Sequence, residues 1–206
     1  MVFRLRPYDA RFGDLLVELA GQVVTGAQLL AEVLGGDLPT REATAHKLQE
    51  TDQAAEATAH AVLRALSAAF VTPFDRADVF RVTWAIRTCT ARMDAAADEI
   101  VGFRLGSLPA GANELVQVVG RAADVTADAV PRLARPRTLN DPWIELIRLA
   151  KQGGQAHRTL LADIALTTVD PSALIRLTCV ANSLRQAVDS FESVAHALQT
   201  VAVKEG

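Results

Sequence analysis

The feature that most constrains this chain is the spacing of its apolar residues. Val79, Val82, Ile86, Cys89, Met93, Ala96 and Ile100 recur at alternating steps of three and four. That is the heptad seam of packed helices. Helical stripes recur at both ends of the chain. Phe12, Leu15, Leu16, Leu19, Val23, Leu29, Leu30 and Val33 form one, and Leu174, Leu177, Leu184, Val188, Phe191, Val194, Leu198 and Val201 belong to another. No stretch alternates with period two, so no strand is predicted. The 206 residues read as an all-α chain of about six long helices.

Turn and capping residues set the boundaries. The first helix is expected over 9–33, ended by Gly35-Gly36, and the second over 40–70. Thr72 reads as the N-cap of the third, with Pro73 in the first turn and Asp75 as the capping-box acid. A break over 102–111 precedes a fourth helix over 112–133, which Pro131 should stop or kink. Asp141-Pro142 and Asp170-Pro171 open the fifth and sixth helices as N-cap and N1 pairs. Gly153-Gly154 inside the fifth predicts a kink or a close helix contact. Asp75, Arg81, Thr83 and Asp94 recur as Asp170, Arg176, Thr178 and Asp189 at a constant offset. Chance among alanine-rich helices and a pseudo-repeat of two three-helix halves, 1–104 and 105–206 within one domain, are both open.

Composition excludes several classes. The chain is 50% hydrophobic and 22% charged with a net charge of −3, ordinary values for a globular protein. No lysine block points to nucleic acid. Cys89 and Cys179 lie inside apolar helical patterns and read as buried free thiols. No signal-peptide core is seen, and no uninterrupted apolar stretch reaches the roughly 20 residues of a membrane span. A cytoplasmic location is expected. A Walker loop, a dinucleotide turn, H-E-x-x-H, C-x-x-C and a nucleophile elbow are all missing, so the chain is not read as an enzyme.

Phe70-Val71-Thr72-Pro73-Phe74-Asp75-Arg76-Ala77-Asp78 resembles the F-[IV]-T-P-F-D-R-E-D signature of PhoU-like accessory proteins of Pit-type phosphate transporters. Arg6-Pro7-Tyr8-Asp9-Ala10-Arg11-Phe12 and the helical ending near Thr200 to Lys204 are also similar to that family. The resemblance implies an elongated PhoU-like bundle and a regulatory role at the cytoplasmic membrane face, in contact with a Pit-type transporter. It makes Thr72, Pro73, Phe74, Asp75, Arg76 and Asp78 candidates for fixing the inter-helix turn or touching a partner.

The resemblance also implies metal clusters held by E-x-x-x-D and D-x-x-x-D pairs. Carboxylates at i and i+4 share one helix face and can chelate a cation. On the second helix the pair survives, with its acids exchanged, as Asp52 and Glu56. On the third, the matching positions carry Arg87, Thr88 and Ala91; on the fifth, Gly153 and His157; on the sixth, Arg185, Gln186 and Asp189. Of the sixth-helix set only Asp189 is acidic. A family-type cluster is therefore expected to be lost, leaving no cofactor, or a single divalent ion on Asp52 and Glu56 with Asp189 or His157 from another helix as the alternative. A further alternative is a helical oligomerisation or adaptor module, with the seam of the third helix facing a second copy.

Overall fold

The computed structural model describes residues 10–69, 72, 74–106 and 108–205. Phe70, Val71, Pro73 and the stretch 1–9, which carry part of the motif reading, lie outside the described residues. Six α-helices are present: α1 (Ala10–Gly35), α2 (Leu38–Ala68), α3 (Arg76–Gly102), α4 (Ala110–Ala129), α5 (Asn140–Thr167) and α6 (Pro171–Glu205). No strand occurs among the described residues. Helices α1, α3, α6 and α4 pack in a closed ring, each against the next. Helix α2 covers the α1–α3 side and α5 covers the α4–α6 side. One contiguous core runs through all six, filled by Leu19, Leu30, Ile86, Met93, Leu115, Leu146 and Phe191 among others. Burying each such side chain is worth roughly 1.5–3 kcal/mol.

The heptad seam of α3 is entirely internal. Val79, Val82, Ile86, Cys89, Met93, Ala96 and Ile100 are each no more than 1% exposed. It therefore packs within the chain and is not free to meet a second copy. Phe12–Gly35 of α1 is long and apolar enough to cross a membrane by length and composition, although Asp14, Glu18 and Glu32 interrupt its apolar run. Its stripe of Leu16, Leu19, Val23, Leu30 and Val33 is buried in the ring of helices.

The helix starts depart from the sequence reading in two places. Thr72 does not cap α3; its hydroxyl donates to the Phe74 carbonyl at 2.8 Å. Asp75 is the N-cap, accepting from the Ala77 amide at 2.7 Å. At α5, two short 3₁₀ turns over Val130–Ala134 and Pro136–Thr138 run straight into the helix, so it opens at Asn140 and Asp141 already lies in the first turn. At α6 the reading holds, because the Asp170 carboxylate accepts from the Ala173 amide at 2.8 Å. Pro131 ends the α-helical part of the fourth segment by turning it into 3₁₀ geometry.

The connector after α3 is fastened by a buried cation. The Arg41 guanidinium, 5% exposed, donates to the carbonyls of Val33 and Leu34 at the end of α1 and of Leu105 and Gly106 beyond α3. Helix ends expose such carbonyls, and they carry partial negative charge. Gly153 and Gly154 set the α5–α6 spacing. A Cβ on Gly153 would lie 2.6 Å from Val188 Cγ1, and one on Gly154 would lie 3.2 Å from the Arg185 guanidinium. The glycine pair thus serves close helix contact inside an unbroken α5.

Candidate functional site

The signature residues are mostly structural. Phe74 is 5% exposed and joins the core. The Arg76 guanidinium donates to the Ala69 carbonyl at the end of α2, closing the α2–α3 turn. Asp78 is 1% exposed and is paired with Arg81 on its own helix and with Lys204 of α6 at 2.8 Å. A carboxylate so buried needs its charge balanced, and two cations do this. The motif therefore fixes where α3 begins and ties it to the end of α6. Thr72 and Asp75 complete the turn through the bonds given above. Of the six residues, only Pro73 lies outside the described residues.

The Asp52/Glu56 pair lies on α2 facing α3, where a guanidinium meets it. Arg87 donates to Asp52 Oδ2 at 3.2 Å and to Glu56 Oε2 at 2.9 Å. Arg87 and Asp52 are only 14% and 15% exposed, whereas Glu56 is half exposed. The hydrogen bond and charge of Arg87 hold the Glu56 carboxyl below its ordinary range. The same face carries acids to which the sequence reading gave no role there. Burial, then repulsion from Asp98 and Asp52, pushes the Asp94 carboxyl up to about 6, with Arg87 opposing. Asp94 and Asp98 form a D-x-x-x-D pair one turn apart on α3. That spacing was the available signal, but it falls beyond the positions where acids were sought.

Asp189 is not brought to Asp52 and Glu56. It lies on α6 and is paired with Arg185 at i+4. Burial and the neighbouring Glu192 raise its carboxyl, while Arg185 and His157 act the other way. Arg185 also donates to the Ala150 carbonyl of α5 at 2.9 Å, and His157 hydrogen-bonds Asn182 at 3.0 Å. Arg92 donates to Gln186 across the α3–α6 seam at 2.9 Å.

A divalent ion does not fit this donor set. An arginine occupies the space between the α2 carboxylates, and another is paired to Asp189. Among the described residues, no group of three or more His, Cys, Asp or Glu side chains is placed to hold a metal ion. What the arrangement supplies is an arginine bridge from α3 to the two α2 carboxylates, with Asp94 and Asp98 left as excess negative charge beside it.

No family model matches the chain. Its fold is PhoU-like: two solved structures from Shewanella oneidensis MR-1 superpose with TM-scores of 0.77, each at 14% identity. One is described as a "putative PhoU-like phosphate regulatory protein" and covers 94% of this chain and 99% of its own. The other, described as a PhoU-like protein, covers 99% of this chain and 100% of its own. In sequence, the chain is 25% identical over 207 aligned positions to a Rhizobium meliloti (strain 1021) protein named "Putative pit accessory protein". The match covers 98% of this chain and 96% of that protein. It is 21% identical to the UPF0111 protein YkaA of Bacillus subtilis (strain 168), over 97% of this chain and 98% of the relative. The resemblance read from Phe70 to Asp78 is thus matched, at nearly full length, by a relative bearing the same family name.

Proposed function

We propose that this chain is a non-catalytic regulatory protein of a Pit-type inorganic phosphate transporter, acting through protein contact at the inner face of the membrane. The observation that carries the reading is the near full-length similarity to a protein named as a pit accessory protein, on a PhoU-like bundle. The side chains support a role without bond chemistry. Burial pushes the Cys89 thiol up to about 12, far from a thiolate at neutral pH. His157 is engaged by the amide of Asn182, with neither a hydroxyl nor a thiol as its partner. Co-purification with an affinity-tagged Pit-type transporter, and phosphate uptake with and without the chain, test the reading. Retention on the transporter and an altered uptake rate are expected. Absence of both overturns it.

The same reading needs no resident metal, because Arg87 supplies the positive charge between Asp52 and Glu56. Added Mn²⁺, Zn²⁺ or Fe²⁺ is expected to leave the thermal midpoint where EDTA leaves it. An ion bound at about 100 times its Kd would add about 2.7 kcal/mol, a shift of several degrees that overturns the idea.

A further inference from the structure

The α3–α6 seam carries an open groove of about 880 Å³. Its exposed walls are aromatic: Phe80 and Trp84 are 50% and 43% exposed. The two rings stack, with centroids 6.1 Å apart and planes within 8°. Arg81, Thr88, His196 and Thr200 are among the other residues that line it. His60 of α2 meets the Trp84 ring edge-on at 6.4 Å and opens a second hollow beside Arg64. From Ala77 to Thr88 the lining residues occupy one face over three turns, about 16 Å. Two large aromatics left open to solvent in a concavity mark a contact surface.

Charge narrows the occupant. The net charge of the chain is −3, yet among the described residues no carboxylate lines either hollow. Arg81 stands on the rim, half exposed; its partner Asp78 is buried and shared with Lys204, which leaves one positive charge over. Arg64 has no ion-pair partner among the described residues. Glu56 and Glu192 each lie one turn from a histidine of the hollows, His60 and His196, at 3.8 Å, and Glu56 is also held by Arg87.

We propose that this groove receives an amphipathic helix of another protein, about 11–14 residues long. Its apolar stripe would lie on Phe80 and Trp84, and its Asp or Glu side chains would meet Arg64 and Arg81. The proposal rests on the reading that the chain works by protein contact, and it names the chemistry of that partner. Other occupants fit less well. A second copy seated on the same face would oppose like charges, Arg64 and Arg81 against themselves. The chain's own first residues carry Arg4 and Arg6 and would be repelled. A lipid surface is flat and would leave the floor of a groove uncovered.

Photo-crosslinking from within the groove tests this. The full chain carrying Thr88→benzoylphenylalanine is irradiated in its own cells, and the attached segment is mapped by mass spectrometry. The expected target is a segment of another protein with helical apolar spacing and an excess of carboxylates. A synthetic peptide of that segment, followed by fluorescence anisotropy, is expected to bind the purified chain. Trp84→Ala and Arg64→Glu should each weaken it by about tenfold or more. Both side chains project from the surface, so an unchanged melting temperature controls for folding. Crosslinks to a second copy alone, to a basic or non-helical segment, or to nothing overturn the proposal. So does Trp84-dependent binding to phosphatidylglycerol vesicles. If the mapped acidic helix belongs to a protein other than a phosphate transporter, the groove stands and the accessory reading falls. If a transporter retains both variants as well as it retains the parent chain, the groove falls and the accessory reading stands.

Discussion

Arg41 and Asp94 show how single side chains set the behaviour of this bundle. Arg41 places a full positive charge among carbonyls from two separate chain segments. Arg41→Met leaves those acceptors unsatisfied, and a loss of about 2–4 kcal/mol in urea denaturation is expected. Arg41→Lys should recover only part of it, since an ammonium cannot fork between two pairs of acceptors. Asp94 behaves in the opposite sense. Its folded carboxyl is raised to about 6 from an ordinary 3.8. The stability this gives is complete below the ordinary value and is lost as pH rises through the folded one. Asp94→Asn should therefore match the parent near pH 3.5 and exceed it at pH 8, by roughly 1 kcal/mol after solvent screening is allowed for. Arg87→Gln removes the opposing cation, so the Asp94 carboxyl should titrate above about 6 in a carboxyl NMR titration.

At the scale of the helix, one substitution has opposite signs at two glycines. Gly153→Ala drives a methyl into Val188, which is 1% exposed and has nowhere to move. A loss of about 1–3 kcal/mol is expected by thermal melting, partly recovered with Val188→Ala. Gly120→Ala in α4 meets nothing within 4 Å and should stabilise by up to about 1 kcal/mol. The helices themselves were legible because the stripes of α1, α3 and α6 carry a helical period, and Asp170-Pro171 marks its start cleanly. The start of α3 was misread because Thr72 and Asp75 are both able caps, and only the backbone path decides which amide is within reach. The start of α5 was misread because the 3₁₀ turns ahead of it already have helical dihedrals at Leu139.

Across the whole molecule, contacts join what the sequence splits. Helices α1 and α4, and α3 and α6, meet across the division at 104–105 and share one core. We therefore expect residues 1–206 to unfold in a single transition, with equal calorimetric and van't Hoff enthalpies. Two resolved transitions would show halves that fold independently. This scale is also where the site became illegible. Spacing along α2 shows that Asp52 and Glu56 share a face, but that Arg87 reaches both depends on the α2–α3 register, which no local pattern encodes. The loss of family ligands at Arg87 and Arg185 was visible residue by residue; that each arginine pairs with the surviving acid beside it was not. The Arg87 bridge has one more consequence. A counter-ion built into the polypeptide cannot be stripped by a chelator, exchanged for a wrong metal or withheld by starvation. The link that Arg87 makes between α2 and α3 is thereby present as soon as the chain has folded.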